Sequence, residues 1–410
     1  MSQAASTACA VDDTLDIFGN ANMDGIIDEM DIAYVDGIIK GINESTKLAD
    51  ANYDGKVDAD DITQIKQIMS GNEKELTIID TSDRIVTVKE PVNSVICTIP
   101  SQIEALRILR MPRDTIIAWG ERAEGELDTD YFPEYRDVPC IGLSFSPDIE
   151  KILELNPDIT FLATAHGKGT AHDEVTKKLE AAGITVLRFR FDQPELLSEE
   201  IEKIGYIFGK RDQAEEFIAW YENIMKSLDK RVKKIPEEDK PKVLFEYGIY
   251  EVSSMVTEMD DNVVAMAGGK EVIPSGGFSM NVDSEEVIKQ NPDIIVRIDY
   301  APERAGYDLD AGNTSGLEEV RDWILSTPEL QNVQAVMNGD VYILSNRLLF
   351  YCSRAGNRAF IGMQYLAKWF HPDLFKDLDP QAIHQEYLTR FQGLDYDLSK
   401  HGVFAYPESS

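Results

Sequence analysis

The feature that most constrains the fold is a pair of similar blocks on either side of one long amphipathic helix. The helix is predicted over residues 209–235, where apolar residues recur at helical spacing. The upstream block is SPDIEKILELNPDITFLA (146–163), and the downstream block is VDSEEVIKQNPDIIVRI (282–298). Each block predicts an acidic helix, the tripeptide Asn-Pro-Asp and then a buried strand. One α/β lobe therefore precedes the long helix, and a similar lobe follows it.

Strand and helix patterns alternate through both halves of the chain, which predicts a parallel sheet with helices on both faces in each lobe. The predicted strands are 94–99, 115–119, 159–163, 184–189, 242–247, 294–298 and 341–344. The predicted helices beside the long one are 101–110, 148–155, 174–182, 194–208, 261–267, 284–290, 316–325, 353–370 and 380–391. The fold class is therefore α/β, with two Rossmann-like lobes joined by one long helix.

The front of the chain adds a small all-α module. Residues 20–41 and 50–71 repeat one motif, with oxygen-bearing side chains at the loop positions that ligate calcium and glycine at the sharp turn. The predicted ligands of two calcium ions, with Ile26 and Lys56 acting through the backbone, are Asn20, Asn22, Asp24, Ile26, Asp28, Asp31, Asp50, Asn52, Asp54, Lys56, Asp58 and Asp61.

Position 12 of each loop is Asp rather than Glu, and no full helix precedes either loop. In these respects residues 14–71 resemble a dockerin module, which folds on calcium and can bind a cohesin-like partner. Two interpretations stay open. In the first, calcium only stabilises a domain that is too small to build its own core. In the second, the calcium-bound module also binds a partner. In either case we expect the module to unfold without calcium while the lobes remain intact.

These patterns divide the chain as follows: flexible tail 1–13, dockerin-like calcium-binding module 14–71, connector and β-hairpin 72–91, N-terminal lobe 92–208, linking helix 209–235, C-terminal lobe 236–352, and C-terminal helices and tail 353–410.

Charge and composition exclude several classes of function. The net charge of −34 opposes binding to nucleic acid or anionic lipid. No apolar run is long enough to span a membrane, and no signal peptide is predicted in the given chain. Cys97 and Cys140 end predicted strands of one lobe, so a disulfide between them and two free thiols are both open.

Ligands of open parallel sheets bind at the carboxyl ends of the strands. The loops there carry aromatic, hydroxyl and cationic residues, a lining that suits a bulky, partly flat, anionic or metal-chelate ligand between two lobes. The predicted ligand-binding residues are Thr98, Ser101, Trp119, Phe145, His166, Tyr247, Tyr250, Phe278, Met280, Tyr300, Arg304, Arg347, Phe350 and Tyr351. The motifs of common enzyme families are missing, which indicates a protein that is not an enzyme.

Over residues 76–392 the chain resembles the substrate-binding proteins of ABC importers for iron-siderophores, haem and vitamin B12. The resemblance rests on SVICTIPSQIEAL, the twin blocks and GNRAFIGMQYLAKWFHPDLF. It implies an extracytoplasmic protein that captures a metal chelate or tetrapyrrole and delivers it to a permease. It also implies that Glu150 and Glu285, which match across the twin blocks, dock on that permease.

The calcium module departs from this family's pattern and favours a cell-surface attached protein. Two alternatives stay open. One is a scaffold component assembled through the dockerin-like module. The other is a chelatase or reductase on a related two-lobe fold, for which His166 is the lone catalytic candidate.

Overall fold

Two sheets with parallel central strands form the framework of the computed structural model, which describes residues 14–120, 131–163, 171–248, 255–256, 258–273, 280–299, 303–348 and 356–407. The first four elements are α1 (Glu29–Ile39), α2 (Ala59–Ser70), β1 (Glu75–Ile79) and β2 (Ile85–Lys89). Strands β1 and β2 pair as an antiparallel hairpin, as the sequence predicted for the connector.

Helices α1 and α2 start in the same way. Asp28 and Asp58 each cap their helix, and the aspartate three residues later, Asp31 or Asp61, accepts the backbone N–H of the capping residue. Such a capping box satisfies backbone groups that the first turn leaves unpaired. The sequence repeat is therefore also a structural repeat.

The N-terminal module is fastened to the rest of the molecule. Ile17 forms a β-bridge with Ile78 of β1, and the N–H of Ile27 donates to the hydroxyl of Tyr206 at 3.3 Å. The guanidinium of Arg211 donates to the carbonyl of Met69 at 2.9 Å. Leu15, Val35, Ile65 and other apolar side chains of the module belong to one continuous core with the hairpin and the N-terminal lobe. The module therefore shares its core instead of forming a separate one.

The N-terminal lobe contains the strands β3 (Val95–Cys97), β4 (Ile116–Trp119), β5 (Gly142–Leu143), β6 (Ser146–Pro147), β7 (Ile159–Leu162) and β8 (Thr185–Arg188). Its helices are α3 (Pro100–Ile108), α4 (Ile149–Leu155), α5 (Ala171–Ala181) and α6 (Leu197–Ile207). The main sheet has the order β4-β3-β7-β8 with every pair parallel, which confirms the predicted parallel arrangement.

The long helix, α7 (Arg211–Val232), lies inside its predicted bounds and contains neither Gly nor Pro. It buries Ala214, Phe217, Tyr221, Leu228 and Val232. Phe217 and Trp220 pack on rings from the C-terminal part of the chain, and the buried residues extend from Ala214 to Val232, so α7 packs on the molecule over most of its length. None of the helices in the described residues is both long and apolar enough to cross a membrane.

The C-terminal lobe contains β9 (Lys242–Gly248), β10 (Met255–Val256), β11 (Lys270–Glu271), β12 (Met280–Asn281), β13 (Ile294–Asp299), β14 (Gly306–Asp310), β15 (Val341–Ser345), β16 (His401–Val403) and β17 (Ala405–Tyr406). Its helices are α8 (Glu258–Met266), α9 (Ser284–Gln290), α10 (Ser315–Ser326), α11 (Gln334–Asn338), α12 (Ala359–Phe370) and α13 (Pro380–Glu386), the last continued by a π-helical turn, Tyr387–Phe391. Short 3-10 turns cover Arg113–Thr115, Pro133–Tyr135, Glu237–Asp239, Pro328–Leu330 and Gly356–Arg358.

The sheet of this lobe has the order β12-β10-β9-β13-β15-β17, with β11 beside β9. Its centre, β9-β13-β15, is parallel as predicted, whereas β10 and β17 run antiparallel to their neighbours. The sequence pattern over 353–410 predicts helices and a tail, whereas the structure also contains β16 and β17 there. These segments are short, and their strand character comes from pairing with β14 and β15.

The structure resolves the open question of Cys97 and Cys140, which are both free thiols. Trp119 separates them because it pairs with Cys97 on one side and with Cys140 on the other. Neighbouring strands lie about 4.8 Å apart, so residues two strands apart exceed the Cα distance of about 7 Å that a disulfide tolerates.

Candidate functional site

The carboxyl ends of β3 and β4 place Thr98 and Trp119 at one edge of the N-terminal sheet. Both residues are buried, and neither the Thr98 hydroxyl nor the Trp119 indole N–H has a hydrogen-bond partner in the part of the chain that the structure describes. Buried polar atoms are normally paired. Two unpaired groups at one sheet edge therefore indicate a place where a ligand can supply the partner.

Gly120 explains how close the backbone lies at this edge. A Cβ atom there would stand 2.8 Å from the carbonyl oxygen of Gly142 and 2.9 Å from that of Thr98. Only glycine fits this approach without moving backbone. The glycine therefore lets the backbone at position 120 lie against the end of β3.

Ser101 also lies at this edge, but its side chain is occupied. It is fully buried, and its hydroxyl donates to the carbonyl of Arg190. Phe145 is 51% exposed in the turn between β5 and β6. Of these two predicted ligand contacts, Phe145 is the one that is open to an incoming molecule.

In the C-terminal lobe, Tyr247 is buried near the end of β9, with its ring edge-on to Phe245. Arg304 donates two hydrogen bonds to Asp299 at the end of β13, at 3.0 and 2.8 Å. This pairing raises the pKa of Arg304 above its ordinary value. Arg347 is half-buried just beyond β15.

The structure does not describe the side chains of the remaining predicted ligand contacts. Met280 begins β12. The residues outside the described part of the chain are His166, Tyr250, Phe278, Tyr300, Phe350 and Tyr351.

A charged cluster beyond β8 was missed by the sequence analysis. The guanidinium of Arg190 makes a bidentate salt bridge with Asp192 at 2.8 and 2.9 Å. Arg188 makes a salt bridge with Asp173 at 2.7 Å. The carboxylate of Glu200 accepts the N–H groups of Arg190 and Phe191, and so fixes the bend at Phe191, where φ is 61°. The signal was present in RFRFD (188–192), where one arginine ends a buried strand and a second follows it.

Burial shifts the pKa values of Glu200 and of His172, which lies beside this cluster. It raises the pKa of Glu200 to about 7, against hydrogen bonds that favour the ionised form. Burial, with the positive charges of Arg188 and Arg190, lowers the pKa of His172 at the start of α5. A neutral imidazole therefore stands beside two paired arginines.

Glu150 and Glu285 occupy equivalent positions on two short helices, α4 and α9. Both are exposed and second in their helix. Each helix is capped by an aspartate, Asp148 or Asp283, and ends at an asparagine in the left-handed conformation. The twin blocks of the sequence are therefore also twins in local structure.

The two acidic loops of the N-terminal module share a hydrogen-bond pattern. In the first, Asp31 accepts the N–H groups of Asn22 and Asp28 at 3.1 and 2.8 Å. In the second, Asp61 accepts the N–H groups of Asn52 and Asp58 at 3.2 and 2.7 Å.

Both acceptor aspartates are almost completely buried, and burial raises their pKa values. Within the described residues, no group of three or more Asp, Glu, His or Cys side chains is arranged to hold a metal ion.

Comparisons with known proteins agree with this architecture. Residues 112–348, more than half of the chain, match the periplasmic binding protein family. The uncharacterized ABC transporter substrate-binding lipoprotein YvrC of Bacillus subtilis is 26% identical over 309 residues, which are 74% of this chain and 87% of YvrC. The high-affinity heme uptake system protein IsdE of Staphylococcus aureus is 25% identical over 170 residues, which are 40% of this chain and 56% of IsdE.

Among solved structures, the TroA-like periplasmic binding protein FepB of Veillonella parvula has a TM-score of 0.66 at 24% identity, over 80% of this chain and 98% of FepB. That likeness concerns the fold. The sequence match is what defines the family. The chain belongs to the periplasmic binding protein family, and the relatives that it matches include substrate-binding proteins of ABC transporters.

Proposed function

We propose that this chain is the extracytoplasmic substrate-binding protein of an ABC importer and captures a metal chelate or tetrapyrrole between its two lobes. The observation that carries the proposal is that segments following the carboxyl ends of both sheets meet at one seam. Ser101 lies in α3, the helix that follows β3, and Asn357 lies in the 3-10 turn Gly356–Arg358, the next described element after β15. With its side-chain amide flipped so that the NH₂ group faces hydrogen-bond acceptors, Asn357 donates to the carbonyl of Ser101 at 2.9 Å. Ligands of open parallel sheets bind at such ends.

The ligand class is supported by the chemistry of predicted contact residues in both lobes. Trp119 offers a buried N–H, Phe145 an exposed ring, and Arg347 a half-buried cation. Rings contribute contact area to a flat ligand, and a guanidinium pairs with carboxylate or chelating oxygens. The similarity to a haem uptake protein, over part of its length, favours the same class.

A binding screen with the full chain tests this proposal. Haemin, cyanocobalamin and a ferric catecholate siderophore are added in turn, and the melting temperature and visible absorbance are recorded. We expect one probe to raise the melting temperature through its preferential binding to the folded state. If none of the three probes shifts it, the proposed ligand class is wrong.

A variant pair then locates the ligand. Trp119→Phe removes the N–H that has no partner among the described residues and keeps a ring, so we expect affinity for the bound probe to fall roughly tenfold, the loss of about one hydrogen bond. Trp369→Phe is the matched control because the Trp369 N–H already donates to the Pro407 carbonyl, at 3.2 Å. Equal affinities for the two variants would place the ligand elsewhere.

We also propose that the loops of residues 20–31 and 50–61 each bind one calcium ion. The donor set consists of carboxylate, amide and backbone oxygens, which are the ligands that calcium prefers. One observation supports the first loop independently of the sequence. The side-chain oxygen of Asn20 is buried without a hydrogen-bond donor among the described residues, while its NH₂ group donates to Leu15 and Asp24 carbonyls.

Calorimetric titration of the full chain with calcium chloride tests this site. We expect two ions per chain, and one ion each for Asp24→Ala and Asp54→Ala, both exposed loop residues. Asp36→Ala on α1, outside the loop, should still bind two. At free calcium about 100 times Kd, each site stabilises the folded chain by about 2.7 kcal/mol. A titration without binding heat and without a rise in melting temperature would exclude the calcium sites.

A further inference from the structure

A buried ion pair joins the two halves of the molecule at the seam. Glu104 lies on α3 of the N-terminal lobe, and Arg358 lies just before α12 of the C-terminal lobe. Their exposed fractions are 0% and 1%, and Arg358 Nη2 lies 3.2 Å from Glu104 Oε1. The pair therefore connects segments 254 positions apart in the sequence with both charges removed from water.

Glu104 collects further donors at its other carboxylate oxygen. The hydroxyl of Tyr387 donates to Oε2 at 2.7 Å and that of Tyr131 at 3.2 Å. The backbone N–H of Asn357 donates to the same oxygen at 3.3 Å. One side chain of α3 thus receives contacts from its own lobe, from the segment before α12 and from the turn after α13.

Arg358 is held from both lobes. Its guanidinium donates to the hydroxyl of Tyr307 on β14 at 2.8 Å, and its charge stands 4.2 Å from the ring centre of Tyr131 and 5.5 Å from that of Tyr307. The two tyrosine rings stack at 4.9 Å, one from each lobe. Cation–π contacts of this kind strengthen when water is excluded.

Asn357 adds two hydrogen bonds between the lobes beside the ion pair. With its amide turned as above, it donates to the carbonyls of Phe191 and Ser101, at 2.8 and 2.9 Å. These carbonyls belong to the bend after β8 and to the start of α3. The segment before α12 is therefore bonded to the same N-terminal edge that carries Thr98 and Trp119.

A buried ion pair is weak evidence for stability because the cost of removing two charges from water offsets their attraction. What such a pair does supply is geometry, since each charge accepts few alternative arrangements once it is buried. The position of this pair at the seam between the lobes, instead of inside one of them, therefore indicates a role in fixing one lobe relative to the other.

We propose that Glu104, Tyr131, Tyr307, Asn357 and Arg358 form an interlobe latch that sets the separation of the two lobes. Helix α7 connects the lobes along the chain, and the latch connects them a second time through side chains. These are positioning residues, and the role in ligand capture rests on the function proposed above. The latch itself is a property of the free protein.

Distance measurement between spin labels tests the latch without a ligand. Labels are placed at Glu154→Cys on α4 and Lys289→Cys on α9, both exposed, after replacement of the four native cysteines. We expect a single narrow distance distribution in this parent, and a distribution at least twice as wide in Arg358→Met. Tyr307→Phe keeps the ring that stacks on Tyr131 and removes the hydrogen bond that orients Arg358 toward Glu104, so it should widen the distribution to a smaller extent.

The matched control is Arg297→Met. Arg297 is as buried as Arg358 and pairs with Glu246 at 2.8 Å, but both lie on neighbouring strands of the C-terminal sheet. This variant loses a buried ion pair without touching the seam, so its distance distribution should match that of the parent. A parent-like width in both folded Arg358→Met and Tyr307→Phe would overturn the latch. If Arg358→Met does not fold, Tyr307→Phe decides alone. Failure of the ligand screen leaves this result unaffected.

Discussion

At the scale of single residues, several buried or half-buried carboxyl groups have raised pKa values. Glu202 on α6 is one of them. Burial raises its pKa to about 7, and the negative charges of Glu215 and Glu222 on α7 and of Glu199 contribute in the same direction. The ordinary value is 4.5. The native protein therefore keeps this proton at pH values where the unfolded chain has released it.

This difference makes stability depend on pH. The contribution is fully present below about pH 4.5 and is lost as the pH rises through about 7, because the native state must then carry a half-buried charge among other carboxylates. We expect Glu202→Gln to reduce the fall in the free energy of unfolding between pH 5 and pH 8, by on the order of 1 to 2 kcal/mol since neighbouring water screens the cluster.

Urea unfolding at a series of pH values measures this effect. Glu319→Gln on α10, an exposed glutamate, serves as the control and should leave the pH profile of the parent unchanged. Parallel profiles for Glu202→Gln and the parent would show that Glu202 does not titrate in this range.

Residue types at the strand ends were predictable from the sequence, whereas their bonding was not. Trp119 and Ser101 both follow from the rule that ligands bind where parallel strands end. Only the structure shows that the Ser101 hydroxyl is taken by a carbonyl 89 positions away, while the Trp119 N–H has no partner among the described residues. Such pairing depends on residues distant in sequence, which local patterns do not encode.

At the scale of elements, the corner between α6 and α7 is packed around a small residue. Gly205 on α6 faces Ala214 on α7, and a Cβ atom at position 205 would lie 2.7 Å from that of Ala214. The two helices approach this closely because neither carries a larger side chain there. This contact sets the direction in which α7 leaves the N-terminal lobe.

We expect Gly205→Ala to lower the free energy of unfolding by about 1 to 3 kcal/mol, because overpacking forces the helices apart. Gly312→Ala is the matched control, since a Cβ there meets nothing within 4 Å, and it should be neutral. Thermal unfolding of both variants makes the comparison. An unchanged melting temperature for Gly205→Ala would mean that the corner can relax without cost.

The order of elements was predictable because strand and helix periodicities are local. The predicted strands of the parallel sheets and the long helix match the structure within a few residues at each end. Strands β14, β16 and β17 escaped prediction since they are short and gain their conformation from pairing. Strand β17 pairs with β15, some sixty residues earlier in the chain.

At the scale of the whole molecule, the twin helices α4 and α9 present matching acidic groups. Glu150 and Glu285 are exposed, similarly capped and carried by lobes that the latch and α7 hold together. A fixed pair of carboxylates suits a partner with two basic groups at a matching spacing. We therefore propose that they dock the protein on its permease.

Charge reversal tests the docking role. Glu150→Lys and Glu285→Lys should each reduce uptake of the ligand roughly tenfold in vesicles that contain the importer, while ligand affinity stays unchanged. Glu154→Lys, exposed on the same helix as Glu150, is the matched control. Because surface charge pairs are screened by salt, the defect should grow at low ionic strength. Full uptake by the double variant would exclude this docking surface.

The packing of the N-terminal module on the lobes could not be predicted from the sequence. The calcium motif predicted a separate unit, because repeats of this kind are recognised by their own loops. The structure instead joins the module to the lobe through a continuous core and through Tyr206 and Arg211. We therefore expect chelation of calcium to destabilise the N-terminal lobe together with the module, rather than to leave the lobe intact.

The β-bridge between Ile17 and Ile78 has a further consequence. Beside it, the N–H of Phe18 donates to the Thr77 carbonyl and the N–H of Ile79 donates to the Asp16 carbonyl, both at 2.9 Å. These bonds occupy the outer edge of β1, and an open strand edge with apolar neighbours is a template on which other chains can add. The segment at residues 16–18 therefore protects this strand edge from pairing with other chains. Detaching the module would therefore expose the edge of β1 to other chains and would also destabilise the N-terminal lobe.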